Sequence, residues 1–280
     1  MDNKNVFVAI ALSMAVLLFW GAFFETPRQV KENQSIDKVQ TNQDEIQGNI
    51  TPSINQETII KKISRDDALT EVDRVIIENE KVKGSISLKG AIFDDLSFKN
   101  YKKDLKSGEN VIFLNPKEIE DGYYIESGWT SIGNEVEVPG VDSLWQVKGN
   151  RVLSEKENVV LEWSNGKGLI FKKTIKLDDK YLFKIKQEVQ NNTSTKINLY
   201  PYAQITRNKK PDDVMGFYIL HEGFIGVFDG ELKEDDYDDI QEKKIIRNSD
   251  NGWLGITDKY WVTAIVPPKD KNFKAQIPYN

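Results

Sequence analysis

The sequence predicts an all-β domain, a large β-sandwich, carried behind one N-terminal transmembrane helix and a flexible polar linker. Three observations predict it. An uncharged apolar run opens the chain, a polar stretch without aromatic residues follows, and beyond residue 74 short period-two alternations are separated by Gly, Asn and Asp turns. The expected division is 1–24 anchor, 25–73 linker and 74–280 β-sandwich.

The run from Val6 to Phe24 holds 19 residues without a charge. As a helix it would be roughly 28 Å long, close to the ~30 Å hydrocarbon core of a bilayer. Val6, Phe7, Leu12, Leu17, Leu18, Phe19, Trp20, Phe23 and Phe24 are the expected membrane-anchor residues, with Trp20, Phe23 and Phe24 toward one end, where headgroups lie. A cleaved secretory signal is the competing reading. The run exceeds the usual ~7–15-residue apolar core of such signals, and no small-residue cleavage site precedes Glu25. Lys4 and the amino terminus are a weak inside signal, but a long hydrophilic domain crosses largely regardless of charge. The N-terminus is therefore expected in the cytoplasm and the bulk outside it.

From Glu25 to Asp73 the chain is rich in Gln, Asn, Glu, Lys, Ser and Thr, with no aromatic residue. Such a segment cannot bury enough apolar surface to offset its ordering entropy, so it reads as a tether. A short helix is possible within Glu57–Val72.

After Arg74 the pattern is that of strands. Val159, Leu161 and Trp163 alternate up to the turn Asn165-Gly166. Leu169, Phe171, Ile175 and Leu177 share one face up to Asp178-Asp179, and Tyr181, Phe183, Ile185 and Val189 follow up to Asn191-Asn192. That is a meander. Further strands are expected at 75–77, 82–88, 111–114, 196–200, 223–228 and 260–266. So many short strands exceed what one open sheet holds, and two packed sheets are the natural solution.

Composition closes several functions. With 38 Lys+Arg against 44 Asp+Glu the net charge is −6, so no basic nucleic-acid footprint is expected. The absence of cysteine removes disulfides, thiolate metal sites and thiol nucleophiles. A single histidine, His221, cannot build a two-histidine metal site or acid–base pair. No phosphate-binding loop, dinucleotide fingerprint or nucleophile elbow is present. No catalytic, cofactor-binding or metal residue is expected.

Weaker constellations have bland readings. The acidic run Glu231–Asp239 lacks the ligand order of a calcium loop and is expected to be a solvated loop. His221 beside Glu222 is expected at a surface or strand end. Trp129, Trp145, Trp163, Trp253 and Trp261 could line a sugar or peptide cleft, although core packing accounts for most aromatic residues in a sandwich.

Some segments carry a resemblance. Met1-Asp2-Asn3-Lys4 runs directly into an apolar segment closing with Trp20. Gly252-Trp253-Leu254-Gly255-Ile256 is followed by Tyr260-Trp261-Val262-Thr263-Ala264-Ile265-Val266-Pro267, and the meander Phe171–Val189 ends on Asn191-Asn192. In order and spacing these resemble the N-terminal part of the YidC-type membrane protein insertases of bacteria. The resemblance implies a first helix with its N-terminus in the cytoplasm and a periplasmic β-super-sandwich related to galactose mutarotase-like proteins. It also implies an inner-membrane location, nascent membrane proteins as clients, and contact with the Sec translocase including its SecDF component. Full-length members continue into five more helices that hold a hydrophilic groove with a functional arginine. No second apolar run of spanning length occurs here, so the chain is expected to be a fragment of such an insertase. Gly223–Ile246 is a candidate contact segment; the interface residues are otherwise unassigned. A membrane-tethered carbohydrate-binding or mutarotase-like module is the rival function.

Overall fold

The computed structural model describes residues 12–14, 16, 60–131, 136–212, 214, 220–242, 245–269 and 271–278. By contact the chain divides into two units, Met1–Ile46 and Gln47–Asn280. In the first, Leu12, Ser13, Met14 and Val16 are helical and exposed. Among the described residues no helix is long and apolar enough to cross a membrane. Apart from Leu12, the expected anchor residues lie outside the described residues.

The second unit opens with helix α1 (Arg65–Thr70), inside the stretch where a short helix was possible. Ser64 caps it by accepting the Asp67 amide at 3.1 Å, and Asp66 and Asp67 face the positive end of the helix dipole. Apart from one further short helix, the regular structure of the described remainder is β-strand, as the alternation predicts.

A seven-stranded sheet is built from β1 (Arg74–Glu78), β2 (Val82–Ser87), β3 (Ile92–Lys102), β4 (Asn110–Leu114), β5 (Tyr123–Ser131), β7 (Val152–Leu153) and β11 (Leu199–Arg207). Its order is β11-β5-β3-β2-β1-β7, with β4 paired to β3. A four-stranded sheet, β10-β9-β8-β6, comprises β6 (Gln146–Lys148), β8 (Val159–Ser164), β9 (Leu169–Leu177) and β10 (Phe183–Asn191). A second four-stranded sheet, β13-β12-β15-β16, joins β12 (Gly223–Phe228), β13 (Glu231–Asp236), β15 (Gly252–Thr257) and β16 (Val262–Ile265). Strands β14 (Ile245–Ser249) and β17 (Phe273–Ile277) form a ribbon, and helix α2 (Tyr237–Glu242) follows β13.

The predicted meander is β8, β9 and β10. Asn165 closes its first turn by accepting the amides of Lys167 and Leu169, with Gly166 at φ 68°. Asp178 closes the second by accepting those of Lys180 and Leu182. Inward residues of β8 and β9 pack against the seven-stranded sheet in the main core. Phe171 meets Trp129 edge-on at 5.1 Å, and Phe93 meets Phe183 at 5.5 Å. On the terminal strand β10, Phe183 and Val189 pack against the core while Ile185, read in the same alternation, is exposed at 36%.

One close approach fixes a glycine. Opposite Ser85 and Ile86 the register of β3 skips Asp94, a β-bulge. A Cβ on Gly84 would sit 2.0 Å from the Asp95 carbonyl oxygen. Gly84→Ala must push β2 from β3 and is expected to cost about 1–3 kcal/mol, read as a lower denaturant midpoint.

Candidate functional site

Among the described residues, three groups of buried or half-buried charged and polar side chains stand out. The first is a notch beside α1. The bulge at Asp94 lets two consecutive aspartates reach one charged cluster, since a bulge re-aims side chains that would otherwise alternate. Asp94 pairs with Arg74, and Asp95 pairs with Arg65. Arg74 Nε donates to Ser85 Oγ at 2.6 Å, Ser85 donates to Asp95 Oδ2 at 2.6 Å, and Arg65 Nε donates to Asn115 Oδ1 at 3.0 Å. Burial pushes the Asp94 carboxyl up to about 6, and the Arg74 guanidinium only partly offsets it. The cleft here has a volume of about 330 Å³ and is lined by Arg74 and Asp94 together with Lys61, Glu71, Lys89 and Lys117.

The second is Lys173, on the inner face of β9 between Phe171 and Ile175 and 1% exposed. Its Nζ donates to the Ser127 carbonyl of β5 at 2.6 Å and lies 4.8 Å from the centre of the Trp145 ring. Burial lowers its pKa to about 7, while the nearby Glu126 carboxyl acts in the opposite direction.

The third is a latch between the seven-stranded sheet and the β12–β16 sheet. Arg207, at the end of β11, donates from Nη1 to Asp258 at 2.5 Å and to the Tyr237 hydroxyl at 2.8 Å. Its guanidinium stacks 4.2 Å above the Tyr123 ring, and the Tyr123 hydroxyl donates to Thr263 of β16 at 2.6 Å. Burial pushes the Tyr237 hydroxyl up to about 12. For Arg207, burial acts downward but is outweighed by Asp258 and the two tyrosines, so its pKa is raised. Asp258→Ala leaves a largely buried guanidinium without its counter-charge and is expected to cost about 3–5 kcal/mol. Thermal unfolding of Asp258→Ala against Arg207→Met/Asp258→Leu separates lost charge pairing from lost packing.

The sequence-predicted sites fare unevenly. The acidic run is not a loop: Glu231–Asp236 is strand β13 and Tyr237–Glu242 is α2. Part of its charge is matched across the fold, Asp235 pairing with Arg247 at 2.7 Å and Asp238 with Lys210 at 2.7 Å, and β12 pairs with its backbone. His221 stands before β12 as expected, with Nδ1 3.1 Å from Asp236 and Nε2 2.7 Å from the Phe224 carbonyl. The five tryptophans form no common cleft. Trp129 and Trp145 stack in the main core at 6.4 Å, Trp163 leans on Phe171, and Trp261 joins Phe98, Tyr101 and Phe113. Among the described residues no group of three or more His, Asp or Glu is placed to hold a metal ion.

Lys173 is the residue that sequence reading misses. The signal was present, because it occupies an inward position of the alternation Leu169-Phe171-Lys173-Ile175-Leu177. The arginine–aspartate notch had no such signal, since its partners lie 20 and 30 residues apart.

These features define a multi-sheet β-sandwich domain whose buried charges tie strands together. The chain belongs to the YidC periplasmic domain family, whose model matches residues 74–280. It is 45% identical over 281 residues to the membrane protein insertase YidC of Pelagibacter ubique (strain HTCC1062), covering 100% of this chain and 49% of that protein. The YidC insertase of Sinorhizobium fredii is 39% identical over 282 residues, covering 97% and 47%. That of Cereibacter sphaeroides (strain ATCC 17029) is 34% identical over 291 residues, covering 99% and 46%. The chain spans about half the length of the curated relatives it matches.

Proposed function

We propose that the chain is the anchored periplasmic portion of a bacterial membrane protein insertase, serving partner docking and client placement rather than catalysis. The family match over 74–280, downstream of an apolar run of spanning length and a polar stretch, carries this reading. Val6–Phe24 is the anchor, with its N-terminus in the cytoplasm, residues 25–73 are the tether, and the sandwich is a super-sandwich displayed in the periplasm. Clients of such a protein are nascent membrane proteins, whose apolar segments gain by transfer into lipid without nucleotide or covalent chemistry. The Sec translocase with its SecDF component is the partner, and Gly223–Ile246 is the candidate contact segment.

Protease added to spheroplasts tests the topology. Digestion of the domain to leave a membrane-embedded N-terminal fragment is the expected result; an intact domain would overturn the topology. Co-purification of translocase subunits with the full chain tests the partner.

A further inference from the structure

An antiparallel sheet with one solvated face alternates apolar and polar residues, whereas strands covered on both faces read as continuous apolar runs. Three strands of the β13-β12-β15-β16 sheet read the second way, in GFIGVF, GWLGIT and VTAI, while β13 is acidic. Its inner face carries Phe224, Phe228, Leu254 and Ile256 against the two buried clusters. The register pairs Val227 with both Leu232 and Trp253, and Gly255 with both Ile225 and Ala264. Thr257 pairs with Val262. Leu232, Val227, Ile225, Trp253, Ala264 and Val262 therefore share the opposite face. Leu232 is 55% and Val262 52% exposed, Ala264 is exposed, and Ile225, Val227 and Trp253 are half-buried, so among the described residues this face is only partly covered. A contiguous apolar face of this kind marks a contact surface.

Charge selects the occupant. Register with Ile225 and Gly223 puts the exposed Glu234 and Asp236 of β13 at the margin of this face, and Asp239 continues the run. Glu231, Asp235 and Asp238 already pair with Lys233, Arg247 and Lys210, and His221 lies 3.1 Å from Asp236, so acid remains in excess there. In a chain of net charge −6 this margin repels an anionic lipid surface and a second copy alike, and attracts a basic segment. We propose that the outer face of this sheet docks an amphipathic segment of a separate polypeptide, apolar toward Trp253 and Val262 and basic toward β13. This deepens the partner-docking reading and rests on it for the source of the segment.

The absence of cysteine supplies the test, because Val262→Cys and Leu232→Cys each accept one environment-sensitive fluorophore. The full chain in phosphatidylcholine nanodiscs is titrated with a synthetic Leu/Lys peptide of helical amphipathic period. A saturable blue shift is expected at both positions and none at Lys184→Cys, on exposed β10. Binding should weaken about ten-fold or more for a Leu/Glu peptide, and likewise for Glu231→Lys/Glu234→Lys. Equal response to the Leu/Glu peptide overturns the proposal. So does a label buried before any peptide is added: if dilution exposes it, a second copy covers the face, and if not, the chain itself does. Translocase that still co-purifies with Val262→Glu at the wild-type level refutes this surface and leaves the docking reading standing. Translocase that never co-purifies with the wild-type chain removes both.

Discussion

Replacing Arg74 with Met is expected to cost about 3–5 kcal/mol at pH 7 and markedly less at pH 4. The Arg74 and Asp94 side chains are only 10% and 5% exposed. Removing the guanidinium leaves a carboxylate in the sheet without its counter-charge, and the cheapest escape is protonation. At pH 4 Asp94 already holds its proton in the folded protein, because its pKa is raised from 3.8 to about 6. The wild-type chain should show the same chemistry. A group with a raised folded pKa stabilises fully below its unfolded value, and that contribution drains away as pH climbs from about 3.8 through about 6. The lost increment is on the order of 3 kcal/mol. Denaturant midpoints measured from pH 4 to 7 should reveal this slope in wild type and not in Asp94→Asn. If Arg74→Met costs the same at both pH values, burial of the charge is not what the arginine offsets.

Lys173 has the opposite sign in a different window. Its folded pKa, about 7, lies below its ordinary 10.5, so the unfolded chain binds more protons between those values. Stability should therefore rise as pH increases from about 7 toward 10.5, by on the order of 5 kcal/mol from this group. Below pH 7 both states carry the proton and the slope vanishes. Lys173→Met alone would leave Glu126, itself buried, without the nearby ammonium. The informative variant is thus Lys173→Met/Glu126→Gln, expected to be more stable than wild type at pH 7 and to lack the alkaline rise. Nζ-detected NMR of Lys173 gives a direct reading; an amine that titrates near 10.5 would refute the buried-amine account.

Strand positions were legible where a short-range signal exists. The meander of β8, β9 and β10 follows from alternation between Val159 and Val189 and from two turns that Asn165 and Asp178 close through their own side chains. Strands β3 and β5 were less legible. Polar residues such as Asp94, Ser97 and Glu126 interrupt their apolar pattern, yet all three are buried. The same blindness explains the acidic run. Read alone, Glu231–Asp239 is a block of self-repelling charge; folded, Arg247 and Lys210 neutralise part of it, and β12 supplies a ladder for its backbone.

By itself the sequence determined the class of fold, the turns of the meander, the acidic balance, and the exclusion of cysteine and two-histidine chemistry. These depend on residue identity or on neighbours within a few positions, where backbone geometry sets the period. The tertiary structure decided which charges are buried and with what. Lys173 meets the carbonyl of Ser127, 46 residues earlier, and Arg207 meets Asp258, 51 residues later. It also decided that, among the described residues, one face of the β13-β12-β15-β16 sheet is packed while Leu232 and Val262 stay exposed on the other. Such pairings form only when distant strands are brought into register, and their energies come from desolvation and charge proximity, which leave no periodic trace along the chain.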